Sequence, residues 1–241
     1  MKRKLCVILV GLAVSAGMTW AGTADNNPAD FPTTIDWCQF VCAGIPPGTP
    51  LSLGTTTAFT SSNPSDTGLV GLFGTGQNFE IYQQGSDWEG NFTTGMGLVY
   101  NGALDVENTP ADVVLNFNQA EYGAGAYVET DAFGAFTATI TLYNSSDIAI
   151  GSYVEAGTSA TAPGTAIFIG AYDPTADVWA VGFNLLNANG VDDVAVGMAG
   201  LMDSLPNVGT PEPASMLLIA PALLGLAAFG RKRIMNFRKG H

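Results

Sequence analysis

Apolar and polar residues alternate in step through much of the chain. In GAFTATITLY, Phe136, Ala138, Ile140 and Leu142 fall on one side, and Thr137, Thr139, Thr141 and Tyr143 on the other. A period of two is that of an extended strand with one face buried. DVWAVGFNL repeats it with Trp179, Val181, Phe183 and Leu185. DVVLNF does so with Val113, Leu115 and Phe117, and DVAVGM with Val194, Val196 and Met198. AIFIGAY is apolar almost throughout, as a strand covered on both faces would be. Gly, Asn, Asp and Pro punctuate these segments, and helical periodicity is nearly missing. The pattern predicts an all-β, antiparallel β-sandwich over residues 25–205, with loops at 43–50 and 61–68.

The two ends break this rhythm. MKRK is followed by the apolar stretch LCVILVGLAVSAGM and then by small residues. That order predicts a signal peptide over 1–21, cleaved after Ala21, with Ala24 as the second choice and an uncleaved anchor as the alternative. Near the other end, ASMLLIAPALLGLAAFG at 214–230 carries no charge. As a helix it would rise about 26 Å, a little short of a hydrocarbon core of about 30 Å. Pro213 suits the first turn of such a helix, while Pro221 would kink it. Arg231, Lys232 and Arg233 follow at once and act as a membrane stop signal. The reading is a transmembrane helix over 214–230, a basic cytoplasmic tail over 231–241, and a stalk over 206–213 that contains Pro211, Glu212 and Pro213.

Charge placement fits that topology. The eight basic residues are Lys2, Arg3, Lys4, Arg231, Lys232, Arg233, Arg238 and Lys239; all 21 carboxylates lie between Leu5 and Gly230. Both tips are cationic and should stay in the cytosol, which places the anionic body outside the inner membrane. A net charge of −13 argues against nucleic acid as a partner. Cys6 leaves with the signal peptide. Cys38 and Cys42 remain as an even pair in an exported chain, which predicts a disulfide closing a short loop.

The order of Pro-Glu-Pro, apolar span and terminal Arg-Lys-Arg over residues 209–233 resembles the PEP-CTERM sorting signal of bacterial exported proteins. The tail runs eight residues beyond RKR, IMNFRKGH, which is longer than usual for that signal. The resemblance implies recognition by an exosortase, a membrane-embedded cysteine transpeptidase, for which Pro211, Glu212 and Pro213 would be substrate residues. It also implies passage from an inner-membrane-anchored state with a periplasmic ectodomain to the cell surface or beyond, in hosts that make exopolysaccharide. The stretch from Asp105 to Leu201, above all YGAGAYVETDAFGAFTATITLYNSSDIAIGSY, is similar to ectodomains that accompany such signals. Those look like jelly-roll sandwiches related in shape to carbohydrate-binding modules, so a jelly-roll-like fold is the expectation.

Catalytic options are few. The one histidine is His241, at the cytoplasmic tip, so Ser-His-Asp, Cys-His and zinc-His sites have no imidazole to use. With no Lys or Arg in the body, Schiff bases and arginine clamps go too. Carboxylate chemistry is what remains. Asp66-Thr67-Gly68 spells the aspartic-protease triplet, but in one copy and after Asn-Pro-Ser, which reads as a turn. Asp87 with Glu89, and Asp105 with Glu107, are acid pairs of the kind a glycosidase would need, and they compete with a reading as solvated turns. The expectation is a non-enzymatic envelope or matrix protein, with a carbohydrate-binding module as the alternative and an anchored glycosidase behind it. Trp88, in the polar turn GSDWEGNF, is the candidate glycan contact, whereas Trp179 reads as core. No cofactor is expected beyond calcium at NANGVDD, where Asn187, Asn189, Asp192 and Asp193 surround Gly190 as oxygen donors.

Overall fold

The computed structural model describes residues 22–41, 56–72, 80–101, 112–190 and 194–205. The expected signal peptide, Cys42, Asp192, Asp193, the Pro-Glu-Pro motif, the apolar span and the RKR cluster lie outside the described residues. Among the described residues no helix is long and apolar enough to cross a membrane.

The segment GAFTATITLY forms a strand over Gly134–Tyr143, and its Phe136, Ala138, Ile140 and Leu142 are buried while the intervening positions are exposed or half-exposed. In chain order the strands are β1 (Thr23–Ala24), β2 (Thr33–Ile35), β3 (Thr56–Thr60), β4 (Thr67–Leu72), β5 (Glu80–Gln83), β6 (Gly97–Tyr100), β7 (Val113–Glu121), β8 (Gly123–Glu129), β9 (Gly134–Tyr143), β10 (Ala149–Ser159), β11 (Ile167–Tyr172), β12 (Val178–Asn187) and β13 (Ala195–Met202). One short helix, α1, spans Cys38–Val41. The strands form two antiparallel sheets. One runs β1-β11-β8-β13-β6-β5, with β2 also on β13; the other runs β10-β9-β12-β7-β4-β3.

The last eight strands define the architecture. β6 pairs with β13, β7 with β12, β8 with β11 and β9 with β10, all antiparallel. These are the rungs of one long folded-over hairpin, and successive rungs alternate between the two sheets. That is the jelly-roll arrangement. β3, β4 and β5 widen the two sheets at the β6 and β7 side.

The inner faces meet in one core that includes Ile35, Leu115, Val128, Ile140, Val181 and Phe183, each fully or almost fully buried. Burying a side chain such as Phe183 is worth about 1.5–3 kcal/mol. Trp37 closes one end of the core. Its indole Nε1–H donates to Gly197 O at 2.6 Å, and its ring meets Phe59 edge-on at 6.0 Å.

Two expected core positions are displaced by irregular register. The pairing of β12 shifts between Val178 and Ala180, and Val178 is buried while Trp179 is only half-buried. In β13 the register shifts between Val196 and Ala199. Val194 and Val196 face the core as expected, but after the shift Ala199 and Leu201 continue that face and Met198 is half-exposed. An odd number of extra residues in one strand, one in β13 against β8 and three in β7 against β12, reverses the in-out parity beyond the shift. At the near end, β1 starts at Thr23, earlier than the expected boundary, and pairs with Tyr172 and Ala171 of β11. Cleavage after Ala21 would keep this strand, and cleavage after Ala24 would remove it. The expected 61–68 loop is shorter, since β4 begins at Thr67.

Candidate functional site

The turn GSDWEGNF links β5 to β6 and folds inward. Trp88 is 5% exposed, with its ring against Tyr82 and Tyr100 at centroid distances of 5.5 and 5.0 Å. Its indole Nε1–H donates to Glu129 Oε1. Glu129, at the end of β8, is fully buried, and its second oxygen accepts from the Asn91 backbone N–H at 2.7 Å. The amide of Asn91 donates in turn to Thr158 O at 2.9 Å. Trp88 therefore has no open ring face to offer a sugar, which corrects its assignment as a glycan contact. The polar turn buries an aromatic because a carboxylate 41 residues away supplies the acceptor for its N–H. No local signal in GSDWEGNF reveals that partner.

The NANG turn is internally satisfied. Asn187 Oδ1 accepts from Asn189 N at 2.9 Å, Gly190 N donates to Asn187 O at 2.9 Å, and Gly190 takes a left-handed φ of 74°. This is an Asx turn closed by a glycine. Asp192 and Asp193 lie outside the described residues. Among the described residues, no three His, Cys, Asp or Glu side chains are grouped so that they could hold a metal ion. Cys38 is disulfide-bonded. Of the acid pairs, Glu89 is exposed and Asp87 uses Oδ1 to accept from Gln83 N at 2.8 Å. Asp105 and Glu107 lie outside the described residues.

An open cleft of about 770 Å³ lies where the start of β9, the end of β10 and the end of β12 meet the segment leading into β11. Phe136, Ile167 and Leu186 line it with Thr137, Thr158, Thr165 and Asn187, so an apolar floor carries hydroxyl and amide groups. The volume is in the usual range for a small-ligand site, roughly 300–1,000 Å³. Farther along the outer face of the same sheet, Asp112 Oδ1 accepts from Asn184 Nδ2 at 2.9 Å. Burial pushes the Asp112 carboxyl above its ordinary value, with the Asn184 bond opposing. Tyr143 is raised by burial and by the Asp112 charge.

A carboxylate cluster that the sequence reading did not assemble lies at one end of the sandwich. Asp66 precedes β4, Glu121 ends β7, Asp203 follows β13, and Thr33 opens β2. Asp66 is 1% exposed and Glu121 is 3% exposed. Gln119 Nε2 donates to Asp66 Oδ1 at 2.5 Å and to Glu121 Oε1 at 3.2 Å, so both acids meet at one amide nitrogen. Thr33 Oγ1 donates to Asp203 Oδ2 at 2.6 Å. Burial pushes Glu121 up to about 7; the Gln119 bond opposes this, and the Asp66 and Asp203 charges add to it. Asp66 is raised by burial and by Asp203, with Asn63 opposing. Gln119 and Glu121 share the parity of Val113, Leu115 and Phe117 in the sequence, but Gln119 is exposed and Glu121 buried, because the register of β7 against β12 is irregular between Asn116 and Glu121.

No protein-family model matches the chain, and no curated protein sequence does. A solved structure of a DUF4465 family protein from Bacteroides caccae ATCC 43185 aligns over 65% of this chain and 89% of its own, at 16% identity and a TM-score of 0.36.

Proposed function

We propose that this chain is an exported envelope or extracellular-matrix protein, sorted by an exosortase-type transpeptidase and without catalysis of its own. The observation that carries the reading is the ordered C-terminal series of Pro211-Glu212-Pro213, an uncharged run and Arg231-Lys232-Arg233, behind a body with no Lys or Arg from Leu5 to Gly230. A body without cations offers no competing cytoplasmic retention signal, and its acidity keeps it away from anionic lipid. Its role there is structural or adhesive, within a polysaccharide-rich surface. Deletion of residues 211–213 tests the sorting. The variant should still be exported but remain in the inner membrane. Mass spectrometry of the mature wild-type C-terminus should find an end near Pro-Glu-Pro. An unchanged distribution after deletion, with the intact C-terminus on the mature protein, would rule out the processing.

A second reading, polysaccharide binding, rests on the cleft between β9, β10 and β12. Thr137, Thr158, Thr165 and Asn187 provide neutral hydrogen-bonding groups beside an apolar floor. Neutral polar groups of that kind suit uncharged sugar hydroxyls.

A further inference from the structure

We propose that signal-peptide removal after Ala21 frees an α-ammonium on Gly22 that docks on the Tyr153 hydroxyl and the Tyr172 carbonyl and so fastens the mature N-terminus into the sandwich. The inference rests on the export reading above and deepens it, from the cleavage site to the group that cleavage creates. Gly22 directly precedes β1, whose Thr23 and Ala24 pair with Tyr172 and Ala171 at the edge of one sheet. The pairing continues past β1, because Asp25 N donates to Gly170 O at 2.9 Å. The Cα of Gly22 is therefore held from its C-terminal side. A β-carbon built on it would lie 2.6 Å from Tyr153 Oη and 3.0 Å from Tyr172 O, with Leu142 Cδ1 next at 3.6 Å. Both oxygens are too close for carbon and stand at hydrogen-bonding distance for nitrogen. At a chain end the amine turns freely about the Cα–C bond. A rotation of about 120° points it where the β-carbon would point, at nearly the same bond length. An amide nitrogen inside a chain has one N–H and carries the preceding residue, whereas an ammonium has three donors and carries nothing.

Two independent observations point to the same place. Tyr153 Oη is buried with no hydrogen-bond partner, and a buried hydroxyl left so is costly. The surroundings also favour a cation. Burial, then the charge of Asp173 and the neighbouring Tyr172, hold the Tyr153 phenol above its ordinary value. Asp173 itself is 2% exposed. The other acids nearby are engaged locally: Asp25 Oδ1 accepts from Asn27 N at 3.0 Å, and Glu155 Oε2 from Asn26 Nδ2 at 2.9 Å. From Gly22 to Gly230 the sequence has no Lys, Arg or His, so the ammonium would be the one cation of the body at neutral pH. Tyr153 lies on β10 of one sheet and Tyr172 on β11 of the other, so the docked amine bridges the two sheets at their edge. Glycine suits position 22 because any side chain there would compete with the ammonium for one space.

The test expresses the full chain in a host that exports it, purifies the product and reads its N-terminus by mass spectrometry. The native protein is then acylated with acetic anhydride at neutral pH, and labelling at Gly22 is timed against the same protein in urea. The mature chain should begin at Gly22, and its amine should label at least about 10-fold more slowly in the native state than in urea. Tyr153→Phe keeps the ring and removes the hydroxyl. It should bring the native labelling rate to within about threefold of the urea rate while the variant still unfolds cooperatively. A mature end at Asp25 overturns the proposal and leaves export standing. So does an end at Gly22 that labels as fast natively as in urea, or as slowly in Tyr153→Phe as in wild type. A chain that keeps residues 1–21 overturns it as well, and if that chain fractionates with the cytosol the export reading falls with it.

Discussion

Gly90 is the most sensitive backbone position in the turn that carries Trp88. A β-carbon placed on it would lie 1.8 Å from Glu129 Oε1, 2.6 Å from Glu129 Cδ and 2.5 Å from Trp88 Nε1. Flexible side chains usually relieve such a clash by moving aside. Glu129 has little room to do so, because it is fully buried and held by the Trp88 indole N–H and the Asn91 backbone N–H. Gly90→Ala must therefore either strain the packing or break one of those bonds. Overpacking costs about 1–3 kcal/mol, and a hydrogen bond to a charged group is worth about 1.5–3 kcal/mol. Either route costs roughly 1–3 kcal/mol, which corresponds to a fall in Tm of roughly 2–12 °C for a domain of this size. Urea unfolding followed by tryptophan fluorescence reads it directly. Gly182→Ala is the control. Its new methyl would find its nearest neighbour at 3.4 Å, an ordinary contact with the Tyr143 ring, so it should change stability by less than about 1 kcal/mol. Glu129→Asp withdraws the carboxylate by one methylene and should make Gly90→Ala less costly by at least about 1 kcal/mol in the double variant. If Gly90→Ala falls within 1 kcal/mol of wild type, or costs the same with Asp at 129, the clamp described here is not what holds the turn.

Two further predictions concern Asp112 and the cleft. Burial holds Asp112 above its ordinary value, so its protonated form is favoured in the native state. That contribution is complete below the unfolded pKa of about 4 and is lost as pH rises through the folded value. Asp112→Asn should therefore flatten the fall in stability over that window, and parallel wild-type and variant curves in a pH series of urea unfolding would count against it. For the cleft, glycan-array binding without sugar release is the expected outcome, and Ala156→Trp, at an exposed lining position, should abolish it while leaving the Tm within a few degrees. Binding that persists in Ala156→Trp places the ligand elsewhere.

The fold was largely legible because its strands are long and half-buried. In β9 and in the Val181-Phe183-Leu185 part of β12, each inward residue has an outward neighbour, so a period of two appears directly in the letters. What escaped was non-local or depended on irregular register between strands. Nothing around Trp179 or Met198 announces the register shifts that move them off the core face. The jelly-roll order likewise depends on pairings such as β6 with β13, which are separated by nearly a hundred residues. The candidate sites were less legible for the same reason. Trp88 sits among polar neighbours, and its burial follows from Glu129 on a distant strand. Asp66 lies in a turn and Glu121 at the far end of β7, and nothing local in either segment announces that they meet at Gln119.

A body without cationic side chains must stabilise its buried carboxylates by other means, and the solutions differ from site to site. Glu129 is held by an indole and a backbone N–H. Asp173, 2% exposed, accepts from the Thr175 backbone N–H at 2.6 Å and from its hydroxyl. Each is a single acid given at least two donors, and such bonds offset desolvation without a counter-charge. Asp66 and Glu121 depart from that rule. They share one amide nitrogen, and one oxygen of Asp66 has no partner. The donors that satisfy a lone carboxylate elsewhere in this fold are too few for two acids side by side. The remaining physical remedies are a shared proton or a cation. A proton is the remedy that the pair itself favours, because burial pushes Glu121 up to about 7 and the Asp66 charge adds to it.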